Sequence, residues 1–336
     1  MGILLSLLLL ALGLALLIVG GDLLVRGASA LARVLGISEL IIGLTVVAFG
    51  TSAPELAVNV LAAWEDRGEI SFGNIIGSNI ANIGLILGIA ALIRPLKIRG
   101  QVIRRELPMM LLATMAAVIL AADVLLRDDV AQFDRSDGVI MLLLFGVFIY
   151  YTIAQVFTDR RPDAINLESS DFLESVAPDG KNASIGISLL LTAAGLGLLI
   201  LGGHVTVDRA AHLALAFGVP QVIVGLTLVA VGTSLPELVT SVVAVYRGQS
   251  DLAVGNVIGS NIFNLLLILG ASALVRPVPV PIGGFFDLMW MTGLSVILVP
   301  MVLSTNRRIM RYEGAALLIA YVVYVGWRVM QVVYGQ

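Results

Sequence analysis

Two glutamates sit inside apolar stretches of this chain, each directly after a proline and within a short run of hydroxyls and small residues. The first stretch reads Gly50-Thr-Ser-Ala-Pro-Glu55 and the second Gly232-Thr-Ser-Leu-Pro-Glu237. Proline removes a backbone donor and obstructs the carbonyl one turn back. A carbonyl freed at membrane depth is tolerated only where water or a cation satisfies it. Where the segment is helical, Thr51, Ser52 and Glu55 share one face. Asn74, Ser78 and Asn82 recur every four residues and form a polar stripe on the next apolar segment. The same set returns as Thr233, Ser234 and Glu237 with Asn256, Ser260 and Asn264. Together they offer two carboxylates, side-chain amides, four hydroxyls and open carbonyls. An all-oxygen inventory suits hard cations such as Ca2+ or Na+. The chain has no Cys and only two His, His204 and His212, outside these segments, which argues against Zn, Cu or Fe. Two glutamates supply a charge that one Ca2+ neutralises, and a desolvated like-charged pair must otherwise hold cations or protons.

The two copies belong to an internal repeat. Gly43 to Leu56 matches Gly225 to Leu238 at an offset of 182 residues. The offset holds without a gap through Asn74/Asn256, Ser78/Ser260 and Asn82/Asn264 to Arg94-Pro95 and Arg276-Pro277. Further upstream, Gly20-Gly21 answers Gly202-Gly203 and Gly36 answers Gly218. Carboxylates in broken helices at corresponding places of two repeats mark an ion or substrate path.

The elements that must position these groups are membrane spans. Of 336 residues 59% are hydrophobic and only 13% charged, with a mean hydropathy of +1.02. A soluble chain carries nearly twice that charged fraction, so soluble folds are excluded. The net charge of −3 discriminates little, because most charge sits in loops. Nothing in the composition suggests a nucleic-acid partner or an obligate protein partner; the evident partner is the lipid bilayer. The first apolar run lacks a basic leader and a small-residue cleavage site, so it is a retained helix. The start Met1-Gly2-Ile-Leu-Leu-Ser6 matches the loose myristoylation pattern by coincidence, since a lipid adds nothing to a spanning protein.

Hydropathy gives an all-α polytopic membrane protein with ten spans. They are Ile3–Gly20 with a tilted continuation to Val34, Ser38–Trp64, Ser71–Ile93, Glu106–Leu126, Gly138–Phe157, Ser184–Gly203 with a continuation to Phe217, Val219–Tyr246, Leu252–Val275, Phe286–Leu303 and Tyr312–Val333. Thr158–Asn182 is the one long polar stretch, too short and too poor in apolar residues to fold alone, and is a cytoplasmic linker. The halves are therefore 1–157 and 183–336, joined by 158–182. Five spans per half is odd, so equivalent helices cross in opposite directions, which makes two inverted five-helix repeats with broken helices at the midplane. Loops after the third, fifth, seventh and ninth spans hold twelve Lys and Arg, and the opposite loops hold four. The positive-inside rule then puts the basic loops in the cytoplasm and both termini outside.

Not every polar or small residue is functional. Gly84 and Gly88 are packing positions, and the hydroxyls of Thr45 and Thr227 bond their own helices. Asn79 and Asn261 lie off the stripe and fit interhelical glue as well as site membership. His204, His212, Asp22 and Arg26 fall near the membrane interface.

The paired Gly-Thr-Ser-(Ala/Leu)-Pro-Glu motifs, each followed by Gly-Asn-(Ile/Val)-Ile-Gly-Ser-Asn, resemble the alpha-repeats of sodium/calcium exchangers in the calcium:cation antiporter superfamily. The likeness is specific over 43–95 and 225–277 and general elsewhere. It implies a prokaryotic-type antiporter of the plasma membrane, alternating access, no resident cofactor, no enzymatic activity, and Ca2+ and Na+ as substrates. By the family's pattern the cation ligands fall on Thr51, Ser52, Glu55, Ser78 and Asn82 with Thr233, Ser234, Glu237, Ser260 and Asn264, joined by the carbonyls of Ala48 and Ala230. Asn264 stands where the potassium-dependent branch carries Asp, and the short linker has no room for the cytosolic calcium-sensing domains of animal exchangers. Three other activities compete with this expectation: Ca2+/H+ exchange through the same glutamates, a passive cation channel, and an intramembrane hydrolase using Ser52 or Ser234. The last lacks a His or Lys in the core spans to activate the serine.

Overall fold

An apolar segment in hydrocarbon must satisfy its own backbone, which leaves helix as its structure. The computed structural model describes residues 3–122, 130–159, 184–217, 230–304 and 307–334. Apart from four two-residue strands, the elements of these residues are helices. They are α1 (Ile3–Leu35), α2 (Glu39–Thr51), α3 (Ala53–Trp64), α4 (Gly68–Ile93), α5 (Leu107–Leu120), α6 (Arg135–Asp159), α7 (Ile185–Ala216), α8 (Ala230–Thr233), α9 (Leu235–Tyr246), α10 (Ser250–Val275), α11 (Gly284–Ser304) and α12 (Arg311–Tyr334). Among the described residues seven helices are long and apolar enough to cross a membrane: α1, α4, α6, α7, α10, α11 and α12. The bent pair α2 and α3 makes eight. α5 and α9 are shorter; residues 123–129, after α5, and 218–229, ahead of α8, lie outside the described set. The linker from 160 onward, the start of the seventh expected span and Thr227 also lie outside it.

The first and sixth expected spans continue as single helices, as anticipated, to Leu35 and Ala216. At 1.5 Å per residue, the 33 residues of α1 extend about 50 Å, well beyond a hydrocarbon core of about 30 Å. α1 and α7 run antiparallel with their backbones in contact: Gly13, Gly20 and Gly27 face Thr206, Leu199 and Thr192 in turn. A Cβ on Gly20 would lie 2.8 Å from the Leu199 nitrogen and 2.9 Å from the Gly195 oxygen, so only glycine allows this approach. Gly84 and Gly88 press against Tyr321 and Gly314 of α12, which bears out their packing role. Thr45 Oγ1 donates to the Ile41 carbonyl at 2.6 Å, again within its own helix.

Several helices begin earlier than hydropathy suggests, because polar residues form their caps. α6 starts at Arg135: the Asp137 amide donates to Asp134 Oδ1 and the Asp134 amide to Asp137 Oδ2, both at 2.9 Å. This is a reciprocal capping box. Ahead of α12, the Met310 amide donates to Glu313 Oε2 at 2.7 Å.

Contacts between loops fall into two groups. Strand β1 (Leu96–Lys97) pairs antiparallel with β4 (Arg308–Ile309), and Arg99 meets Asp251 at 2.5 Å. Strand β2 (Gln132–Phe133) pairs antiparallel with β3 (Val278–Pro279), and Arg276 meets Asp66 at 2.9 Å. Asp22, inside α1, bonds both Arg26 and Arg247. At the other end of the α1–α7 pair, Ser6 Oγ meets His212 Nδ1 at 3.4 Å. α4 and α10 are the most enclosed spans and carry the polar stripes.

Candidate cation site

The proline that breaks each motif sits in the first turn of a new helix, where its missing N–H is least costly. The kink falls on Ser52 (φ −87°, ψ 2°), and α2 and α3 meet at a 45° bend. Ser234 takes the same conformation (φ −88°, ψ 6°) between α8 and α9. Because Pro54 and Pro236 have no N–H, the carbonyls one turn back, at Gly50 and Gly232, lose their ordinary helical donors. The stripe helices are loosened too. α4 widens to π-helix over Asn82–Leu87 and α10 over Phe263–Ile268, while α2 does so over Gly43–Val47. Such turns cluster at functional sites. Asn82 opens one of them and Asn264 is the second residue of another.

Thr51, Ser52, Glu55, Ser78, Asn82, Ser234, Glu237, Ser260 and Asn264 are all buried, as is Ala48; Thr233 is half-buried. Ala230 opens α8, and its side chain lies outside the described set. Glu55 and Glu237 are each only 2% exposed and feel one another's charge. Several members meet directly across the repeat. Ser52 Oγ donates to Glu237 Oε1 at 3.0 Å, and Ser234 Oγ lies 3.2 Å from Ser78 Oγ. Thr51 Oγ1 lies 3.1 Å from the Val47 carbonyl, 3.4 Å from that of Ala48 and 3.3 Å from Asn256 Oδ1. Asn82 Nδ2 donates to Asn261 Oδ1 at 3.0 Å, so Asn261 does bridge helices, whereas Asn79 bonds the Ile75 carbonyl of its own helix. Glu55 meets the set through the charge of Glu237, and Ser260 and Asn264 share its burial.

What is left over is a set of oxygens. Glu55 Oε2, Glu237 Oε2, Asn82 Oδ1, Asn264 Oδ1 and Ser260 Oγ are buried with no hydrogen-bond partner among the described residues. A buried unpaired acceptor is costly. These five belong to the motif and stripe residues, and their lone pairs are of the kind a hard cation takes. Among the described residues no group of three or more His, Cys, Asp or Glu that could hold a metal ion occurs, so a cation in this cluster would meet two carboxylates and neutral oxygens. A cavity of about 190 Å³ lined by Arg105, Glu106, Met109, Phe148, Tyr151 and Thr152 includes none of these groups.

One layer escaped the sequence reading. Asn59 Nδ2 donates to both the Glu55 carbonyl and Asn74 Oδ1, each at 2.7 Å, and Asn74 Nδ2 reaches Thr233 Oγ1 at 3.1 Å. In the other half Asn256 Nδ2 meets Ser241 Oγ at 3.0 Å. Asn59 and Ser241 hold the same place in the repeat, each four residues after its glutamate, a spacing that would have revealed them.

Fold and site define a multi-pass membrane protein with a buried carboxylate-bearing polar cluster where broken helices meet. The sodium/calcium exchanger protein family matches residues 5–154 and 187–330. The chain is 36% identical over 283 residues to the putative antiporter CaxA of Alkalimonas amylolytica, covering 83% of this chain and 85% of that protein. It is also 36% identical over 304 residues to the sodium/calcium exchanger MaX1 of Methanosarcina acetivorans, covering 83% and 86%. Its fold matches a solved structure of the sodium-calcium exchanger NCX_Mj with a TM-score of 0.81 at 31% identity, over 97% of this chain and 99% of that one. The chain belongs to the sodium/calcium exchanger family of membrane antiporters.

Proposed function

We propose that this protein exchanges Ca2+ for Na+ by alternating access, with the ions held by the side chains of Thr51, Ser52, Glu55, Ser78, Asn82, Thr233, Ser234, Glu237, Ser260 and Asn264 and the carbonyls of Ala48 and Ala230. The observation that carries the reading is the group of unpartnered buried oxygens around Glu55 and Glu237. Two buried carboxylates among neutral oxygens call for positive charge, and one Ca2+ supplies what two carboxylates need. Na+ as counter-ion is favoured by the likeness to MaX1 and NCX_Mj, both sodium/calcium exchangers. No resident cofactor or covalent chemistry enters this reading.

The architecture that goes with it is ten spans in two inverted five-helix repeats, 1–157 and 183–336, joined by a cytoplasmic 158–182. Adding α5 and α8–α9 to the seven long helices and the bent pair gives that number. The loop contacts support the sidedness. β1–β4 and Arg99–Asp251 join loops from the basic set, while β2–β3 and Arg276–Asp66 join loops from the other. The basic set is then cytoplasmic, both termini are outside, and the membrane is the plasma membrane. The deciding experiment is uptake of radiolabelled Ca2+ into proteoliposomes under an imposed Na+ gradient or an imposed pH gradient. Uptake driven by outward Na+ alone supports the reading. Uptake driven by the pH gradient with Na+ ineffective transfers the function to Ca2+/H+ exchange, and gradient-independent flux makes it a channel.

A further inference from the structure

The two halves of the site are built from the same sequence pattern but differ at the buried place four residues after each glutamate: Asn59 stands in the first half where Ser241 stands in the second. That difference sets which way the neighbouring amides point. The Glu55 carbonyl can only accept, so Asn59 must turn its amide toward it. The same amide donates to Asn74, which therefore presents its oxygen to Asn59 and its nitrogen to Thr233. In the second half Asn256 turns its nitrogen toward Ser241 Oγ and, at 3.4 Å, toward the Glu237 carbonyl. Its oxygen is then the atom that faces Thr51. Asn74 and Asn256 hold equivalent positions, yet one offers the opposing threonine a donor and the other an acceptor.

We propose that Asn59 and Ser241 are positioning residues that make the two threonine sides of the cation site unequal, the Thr51–Ala48 side being the tighter. A threonine hydroxyl has one hydrogen. On Thr51 that hydrogen has the carbonyls of Val47 and Ala48 within reach, and also Asn256 Oδ1. When a cation takes the Ala48 carbonyl, the hydrogen still has the Val47 carbonyl and Asn256 Oδ1 to bond, and both lone pairs of Thr51 stay available. Thr233 has no such outlet toward Asn74. It receives an amide hydrogen there, which occupies one of its lone pairs. The inference rests on the cation-site reading above and adds to it a ranking of the two sides.

Exchanging the two residues tests it. Ser241→Asn recreates the first-half pattern and turns Asn256 around, so the half-saturating Ca2+ or Na+ concentration should rise about fivefold to tenfold, the worth of one neutral polar contact. Ser241→Ala removes the nearer of the two acceptors that hold the Asn256 amide, leaving the Glu237 carbonyl at 3.4 Å, and should raise that concentration in the same direction as Ser241→Asn but by less. Asn59→Ser and Asn59→Ala free Asn74 to turn and should shift it in the opposite direction from Ser241→Asn. Each variant is assayed by Na+-gradient-driven Ca2+ flux and by thermal stability in detergent. A purely structural role would lower maximal rate and stability in all four with no opposed shift in affinity, and that outcome overturns the proposal. So does an unchanged affinity in Ser241→Asn. A parent protein that moves no Ca2+ under any gradient refutes the functional reading itself, which keeps the two failures apart.

Discussion

Glu237→Gln is the sharpest single perturbation of the site, because it removes a charge while preserving shape. Ca2+ sits about 2.3–2.6 Å from carboxylate oxygens. With charge centres about 3 Å apart and an effective dielectric constant of about 20, the ion and one carboxylate attract by roughly 11 kcal/mol gross. The amide dipole and retained water recover most of this. If only a quarter remains lost, roughly 3 kcal/mol, affinity falls about 100-fold. The folded protein should suffer little, since the Gln oxygen still accepts from Ser52 and the repulsion with Glu55 is relieved. Melting curves in detergent separate the two effects. At a Ca2+ concentration about 100 times the parent's Kd, the ion stabilises the parent by about 2.7 kcal/mol. A variant weakened 100-fold retains roughly 0.4 kcal/mol by the same relation. The expected result is a Ca2+-free melting temperature at or above the parent's, a nearly abolished Ca2+-induced rise, and no Ca2+ flux. Glu55→Gln should behave alike. A variant that keeps the full Ca2+-induced rise and parental flux would refute the assignment of its carboxylate as a ligand.

Acid should inhibit transport, because protons compete with Ca2+ for the same oxygens and the apparent Ca2+ affinity falls as pH drops; initial rates flat between about pH 4 and 8 would count against carboxylate ligation. Asn264→Asp raises the site's fixed charge by one and should strengthen monovalent-cation binding and steepen the pH dependence, measured by ion titration of transport currents; an unchanged ion and pH response would remove Asn264 from the site. The chain has no cysteine, so single cysteines placed at Gln101 and Gln132 can be labelled in whole cells with an impermeant thiol reagent. Position 132 should react and position 101 should not, and the reverse would invert the orientation.

The residues of the buried polar cluster were legible because hydrocarbon makes polar atoms expensive. Glu55, Asn82 and their counterparts stand out from apolar surroundings, and the repeat at 182 residues marks each of them twice. The continuity of α1 and α7 was legible as well, since no proline interrupts either run. Helix starts were not. Asp134 and Asp137 read as loop residues in a hydropathy profile, yet their side chains bond the first amides of α6 and extend it to Arg135. The π-helical turns at Asn82 and Phe263 leave no mark in composition, because an added residue per turn does not change which residues are apolar. The amide relay through Asn59 was missed for a different reason. Its members look like ordinary interhelical contacts, and only their order, from an accept-only carbonyl outward, reveals a direction.

The crosswise bonding of the site also has a consequence for how the protein is made. Thr51, Ser52 and Asn82 find partners 205, 185 and 179 residues further along the chain. A ribosome adding about 5–20 residues per second needs roughly 10–40 s to deliver them. Through that interval the polar atoms of the first half are in or near the membrane without the groups that will satisfy them. Water, the insertion machinery or non-native neighbours must shelter them until the second half arrives. Biogenesis is therefore most exposed to misassembly and proteolysis at the stage when half the chain is inserted, and a slow or stalled second half prolongs that stage directly.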